Sequence, residues 1–281
     1  MTALSDETAA APSNLRGNRD FQVVLAGQAV SAFGDAITLT AMPLLVLFLT
    51  GSGALMGIVS ALQLLPDLVL GLPAGALADR WDRRRMMIWA DAGRALLTAA
   101  IPVAYWLGWS TMAVILVVTV PINALRVLSD AGFTSAVPGL VGRENLARAN
   151  SYMETTLSVP FIVGPALAGV LVATIGPAET LAIDAVSFAV SAGSLLMVRR
   201  ILRAERPAEM PRILVDIKEG IGFVWRHLVL RSIIAYWGVM AMATATLIPA
   251  LGYYITIDRD FGPEIFGFVG SAWSVGYLLG S

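Results

Sequence analysis

Eight apolar stretches, each about as long as a bilayer is thick, constrain what this chain can become. A helix needs ~20 residues to cross the hydrocarbon core. Hydropathy places such segments at about 21–49, 54–78, 86–107, 111–135, 148–173, 179–198, 231–256 and 264–281. In lipid every backbone amide must be satisfied internally, so runs of this length are expected to be helices. The expected fold class is therefore all-α, a polytopic membrane helix bundle. Composition agrees: of 281 residues 57% are hydrophobic and 14% charged, with a mean hydropathy of +0.75. A soluble domain could not cover itself with so little polar surface.

Positive charge predicts the orientation. Arg16 and Arg19 precede the first segment; Arg80, Arg83, Arg84 and Arg85 lie between the second and third, and Arg143 and Arg148 between the fourth and fifth. Eight more, from Arg199 to Arg231 and including the sole lysine, Lys218, occupy the connection between the sixth and seventh. The opposite connections hold only Arg259. A cytoplasmic N-terminus follows, in the plasma (inner) membrane of a bacterium, for which the near-exclusive use of arginine is a compositional hint. Residues 1–20 are polar and lack the apolar core of a cleavable signal peptide, so the first helix is expected to direct insertion.

Several function classes are excluded by what the chain lacks. It has no cysteine and one histidine, His227, so no metal site or cofactor is expected. A net charge of −1 and the absence of a recognition module speak against nucleic acid. No GxxxxGK[ST] loop precedes Lys218, so ATP is not an expected partner. A membrane enzyme acting on diphosphates would need paired aspartates for Mg²⁺, and the one close acid pair near arginines is Asp79 and Asp82. The expectation is a non-enzyme whose surroundings are the lipid bilayer.

The long connection divides the chain into a polar tail at 1–20, a six-helix bundle at 21–198, a cytoplasmic central loop at 199–230 and a helix pair at 231–281. Within the loop, Ile213, Ile217, Ile221 and Val224 recur at helical spacing opposite Asp216, Lys218 and Glu219, the pattern of an amphipathic helix on the membrane surface. The last two segments repeat the first two. MPLLVLF with Pro43 matches IPALGYY with Pro249, and the stretch from Gly57 matches that from Gly267. By this repeat the chain is expected to be truncated in its eighth helix.

The stretch GALADRWDRR, Gly75 to Arg84, resembles the signature G-x-x-x-D-R-x-G-R-R of the major facilitator superfamily. Gly75, Asp79, Arg80, Arg83 and Arg84 match, with Asp82 in place of the usual glycine. NRDFQVVLAGQAVSAFGDAITLTAMPLLV, ENLARANSYMETT, VGPALAGVL, LAIDAVSFAVSA and IGFVWRHLVLRS are similar to the branch that contains macrolide and siderophore exporters. The resemblance implies the N-terminal six-helix half of a facilitator fold plus the first two helices of the second half. It implies a cytoplasmic gate at the signature, where the acid at the Asp79 position joins a charge network latching two bundles. It also implies that Gly164, Pro165 and Gly169 form the glycine-proline element that proton-coupled exporters carry on the fifth helix. From the residues alone, Gly75 is expected to let the second helix approach a neighbour closely, while the arginines would equally mark a cytoplasmic turn.

Polar residues inside a membrane are costly and usually functional. Gln28, Ser31, Asp35, Thr38 and Met42 fall at spacings of three, four, three and four, on one face of the first helix. Asp35 stands ~20 Å along that helix from Gln22 at ~1.5 Å per residue, near mid-membrane, where an anion is disfavoured as a proton carrier requires. A permanently paired structural acid is the alternative. On the fourth helix Thr119, Asn123, Arg126 and Asp130 share a face, and Arg126 is expected either to tune an acid on another helix or to pair with Asp130. Asp67, between Pro66 and Gly71, could meet a cationic substrate or a backbone group freed by proline. Asp91 and Arg94 read as a structural pair; Glu154 and Asp184 read as interface residues.

Proton-coupling candidates are thus Asp35 and Arg126, and cavity or substrate candidates are Gln28, Ser31, Thr38, Asp67, Asn123 and Asp130. The expected function is secondary active transport, proton-coupled efflux of hydrophobic or amphipathic small molecules by alternating access. The alternatives are a transport-inactive fragment of such an exporter and an importer of the same superfamily. Small-molecule substrate and protons are the expected partners, with oligomeric state open.

Overall fold

A computed structural model describes residues 15–198 and 222–280. The expected tail up to residue 14 and most of the amphipathic segment from Ile213 lie outside the described residues. Among these residues are eight helices of eighteen residues or more: α1 (Arg19–Thr50), α2 (Gly53–Ala78), α3 (Arg83–Trp106), α4 (Thr111–Val141), α5 (Leu146–Ile175), α6 (Pro177–Leu196), α7 (Leu228–Tyr253) and α8 (Pro263–Gly280). The first seven are long and apolar enough to cross a membrane. No strand occurs among the described residues.

Local chemistry fixes the helix ends. Asn18 caps α1 by accepting from the Phe21 amide at 3.1 Å, and its own amide donates to the Leu140 carbonyl at 2.7 Å, fastening the start of α1 to the end of α4. Gly51 closes α1 at φ 64°, a backbone region where glycine alone is free of strain. Ser52 and Asp82 then cap α2 and α3 through the amides of Leu55 and Arg85. Helices α4 and α7 run furthest beyond the sequence expectation. α4 continues past residue 135 to Val141, because Pro138 still offers a carbonyl to the Gly142 amide at 3.0 Å. α7 passes into a π-helical turn, Tyr254–Asp258.

In the first bundle α1 packs on α6, α5 and α2, while α3 packs on α4 and α6 and α2 on α4. Two apolar clusters hold it together. One, including Leu44, Leu47, Met56, Ile101, Ile115 and Leu181, lies toward the Gly51 end. The other, including Phe21, Val24, Met87, Phe133, Leu140 and Leu195, lies toward the arginine-rich end. Lipid is as apolar as leucine, so fit rather than water exclusion gives these clusters their strength. Between them lies a polar layer contributed by α1, α3, α4 and α6.

The helix pair joins the bundle along two seams. α8 packs on α5, and the Gly252 end of α7 packs on the start of α2, where Gly53 faces Tyr253. A Cβ at Gly164 would overlap that of Ala36 on α1, and one at Gly169 would come within 2.8 Å of the Pro263 carbonyl and 3.0 Å of the Gly267 Cα. Helix α5 is therefore in backbone-close contact on both flanks.

Candidate functional site

The polar layer is organised by Arg94. This side chain is 1% exposed, a placement tolerable for a guanidinium only when its hydrogen-bonding groups and charge are answered. Asp35 of α1 pairs with it through Nη2. Asp91, one turn back on α3, lies 3.6 Å from Nη1, which also donates to Ser31 Oγ at 3.2 Å. The Phe188 ring of α6 stacks on its carbon 3.8 Å away. Asp91 is 0% exposed and is held in place by Ser129 of α4 at 2.9 Å and Ser191 of α6 at 2.7 Å. Asp35 keeps 21% exposure and so forms the open edge of the network.

Asp184 extends this layer toward the Gly51 end. It is buried against α1, accepts from Thr38 Oγ1, and has Ser187 Oγ at 2.9 Å from its other oxygen. The contact requires the glycine opposite, since a Cβ on Gly34 would overlap Asp184 and Ser187.

A second charged group is built from α2 and α4. Arg126 pairs with Asp67 across the helices and with Asp130 at 3.3 Å on its own helix. All three are open to the outside, Arg126 at 23%, Asp67 at 46% and Asp130 at 56% exposure. Asp67 and Asp130 border a groove of about 350 Å³ with Gly71, Thr134 and Ser135. Arg126 is therefore not the contact partner of Asp35, although it and Asp130 lie within electrostatic range of that acid.

These placements revise the sequence reading. Arg94 is more than the partner of Asp91, because its closer bond joins Asp35 across helices. Gln28, Ser31 and Thr38 are buried within the bundle. Asn123 is buried too, its amide spent on the Thr119 carbonyl at 2.9 Å. The reason is physical: a polar helix face is cheaper to hold against other polar faces than to show to lipid. Of the cavity candidates, Asp67 and Asp130 reach a groove. Nothing in the spacing of Asp35 and Arg94 marked them as partners. The available signal was that a mid-helix arginine with a single acid one turn away is under-satisfied.

At the signature, a Cβ on Gly75 would meet nothing within 4 Å, so the expected close approach there is absent among the described residues. Asp79 ends α2 and stands 4.0 Å from Arg83, and Arg80 is exposed. Asp82, the departure from the signature, earns a structural role as the cap of α3. Arg84 donates to the carbonyls of Leu195 at 2.8 Å and Leu196 at 2.9 Å, closing the C-terminal end of α6, where helical carbonyls favour a cation. On α5, Gly164 and Gly169 face α1 and α8 as described, a Cβ on Gly267 of α8 would overlap the Pro165 carbonyl, and Ser271 Oγ accepts from the Ala166 amide at 3.0 Å.

A cavity of about 430 Å³ lies between α1, α2 and α7, with Leu39, Pro43, Gln63, Leu64, Trp237 and Ile248 on its walls. Among the described residues no group of His, Cys, Asp and Glu could hold a metal ion.

Comparison with known proteins gives one family and several relatives. The profile described as transmembrane secretion effector matches residues 9–281. The multidrug efflux pump Tap of Mycolicibacterium fortuitum is 33% identical, over 92% of this chain and 65% of its own length. Tap of Mycobacterium tuberculosis strain H37Rv is 30% identical over 84% of this chain and 65% of its own. Macrolide efflux protein A of Streptococcus pyogenes is 28% identical over 92% and 64%. The chain thus spans just under two thirds of the length of the relatives it matches.

Proposed function

Since the chain belongs to the transmembrane secretion effector family of the major facilitator superfamily, a family of transporters with efflux relatives, we propose that it exports hydrophobic or amphipathic small molecules in exchange for protons, by alternating access. The arginine-rich end faces the cytoplasm in this reading, on the strength of the charge asymmetry. The apolar walls of the cavity between α1, α2 and α7 suit a hydrophobic compound, which a few polar groups such as Gln63 would orient.

The observation that carries the proton coupling is the bond between Asp35 and the buried Arg94, with Asp35 at the open edge. As an anion, Asp35 ties α1 to α3 through the guanidinium. Protonation removes that attraction, and Arg94, already 3.6 Å from Asp91, stays neutralised by the acid on its own helix. One proton therefore changes a contact between helices without leaving a bare buried charge. Arg126 acts on Asp35 through space, so the second charged group biases the same proton.

In energised membrane vesicles containing the protein, Asp35→Asn is expected to abolish gradient-driven movement of a macrolide or a fluorescent dye while equilibrium binding of the dye persists. Uphill export at the native rate by that variant would remove Asp35 from the mechanism.

A further inference from the structure

Asp184 has no cation within ion-pairing distance among the described residues, although it is 0% exposed. Its neighbours are hydroxyls. Thr38 donates to Oδ2; Ser187 Oγ lies 2.9 Å from Oδ1 and 2.8 Å from the carbonyl of Asp184 itself. Ser187 has one hydrogen to give. Given to the backbone carbonyl, it leaves the serine oxygen free to accept from Oδ1, which can then carry a proton. Every group in this arrangement is satisfied when the acid is neutral, and an unpaired buried anion would be the costly alternative.

The charged groups facing Asp184 are few. From α1 comes Asp35, one turn from Thr38, and from α3 come Arg94 and Asp91; both Asp35 and Arg94 are within electrostatic range of Asp184. The half of α5 from Leu157 to Ile175 contains no titratable residue. Toward the Gly51 end the layer is closed by the apolar cluster of Ala41, Ile101 and Leu181, and toward the other end by that of Phe21, Val24 and Leu195. Asp35 is the partly exposed acid that remains.

The polar layer that holds both acids contains polar atoms with spare capacity. Thr98 Oγ1, Arg94 Nε and Gln28 Nε2 are buried and make no hydrogen bond among the described residues. Thr98 lies one turn beyond Arg94 on α3. Buried polar groups of this kind are commonly answered by internal water, which would also conduct a proton along the seam between α1, α3 and α6.

We propose that Asp184 is a second proton-binding site, sealed from bulk water, which exchanges its proton with Asp35 alone. The inference rests on the reading of Asp35 as the coupling acid. For the transfer the carboxyl turns to present its protonated oxygen to Thr38, whose hydroxyl turns from the acid to internal water; the O–H bond of Asp184 then breaks as Thr38 Oγ1 takes that proton and yields its own to the water. Internal water then delivers one proton to a carboxylate oxygen of Asp35. Thr38 ends as the alcohol it was, Asp35 becomes neutral, Arg94 stays neutralised by Asp91, and the hydroxyls of Thr38 and Ser187 hold the anion left on Asp184. The bundle would thus hold a proton in reserve at a site no substrate reaches.

The test is infrared spectroscopy of the chain in lipid nanodiscs, reading the carbonyl stretch of protonated carboxyls and its shift on transfer to heavy water. One such band is expected at neutral pH and should be lost in Asp184→Asn, whose amide keeps a donor and an acceptor for the same neighbours. In the unsubstituted chain with isotope-labelled aspartate that band should exchange slowly, and more slowly still in Asp35→Asn and in Thr38→Val. Persistence of every protonated-carboxyl band in Asp184→Asn would overturn the site. Exchange as fast in Asp35→Asn as in the native chain would overturn the exclusive route. Because the readout is independent of transport, loss of export in Asp35→Asn with unaltered exchange defeats this inference alone. Export untouched by Asp35→Asn, with exchange slowed, defeats only the coupling mechanism.

Discussion

Arg94 and Arg126 keep the same company in two different settings. Each pairs with an aspartate 59 residues earlier, on the helix two before its own. Each also has a second aspartate one turn away on its own helix. Yet the trio around Arg94 is enclosed by four helices, whereas that around Arg126 borders an open groove. Charge composition is thus a poor guide to role. An enclosed trio can change state only by moving a proton or repacking helices, while an open one can exchange partners with water, lipid headgroup or solute.

Substitutions that break this contrast should differ most at the arginines themselves. Arg94→Ala strands Asp35 and Asp91 without a cation, a change that costs ~3–5 kcal/mol when one partner of a buried pair is removed. The expected result is a large loss of monodisperse protein in detergent and a lowered unfolding midpoint. Arg94→Lys should recover only part, because a point charge cannot serve Asp35, Asp91 and Ser31 at once.

Crowding the enclosed layer should come next. Gly34→Ala drives a methyl group into Asp184 and Ser187, and overpacking of this kind costs ~1–3 kcal/mol. Denaturant midpoints would show it, and a neutral result would mean that α1 and α6 pack less tightly than described. A double-mutant cycle refines the comparison further. Coupling between Arg94 and Asp35 should exceed that between Arg126 and Asp130, for which ~0.2–1 kcal/mol is typical of an exposed pair.

Arg126→Ala should disturb stability least, within about 1 kcal/mol by the same reasoning. If its unfolding midpoint fell as far as that of Arg94→Ala, the two settings would be energetically equivalent and the contrast would fail.

How far the sequence could reach is clear from these same residues. Hydropathy located all eight helices, because crossing length and backbone satisfaction leave few options. It ended α4 too early, at the polar Thr134 and Ser135, since a hydropathy window senses lipid and not the helix that projects beyond it. Periodicity put Gln28, Ser31, Asp35 and Thr38 on one face of α1. It could not say what that face meets, because spacing fixes an angle within one helix and not the rotation of the helix among its neighbours. For that reason the spacing offers Arg126 as the tuner of an unspecified acid on another helix and does not reveal that Arg94 is the arginine in contact with Asp35. Asp184 was read as an interface residue, and its hydroxyl partners come from Thr38 on α1 and from Ser187 one turn on, a combination that only the packing of α6 on α1 assembles.

Helix α5 meets α1 through Gly164, against the Ala36 methyl, and α8 through Gly169, backbone against backbone. Interlocked ridges and grooves resist sliding because side chains must climb past one another. Here, over the length of a glycine contact, there are no side chains to climb. The surface behaves as a bearing: close enough for dispersion forces to oppose separation, smooth enough for α8 to roll or shift along α5 with little repacking. Larger side chains at Gly169 or Gly267 would act as teeth on that bearing, fixing one relative setting of the helices without removing any polar group from the protein.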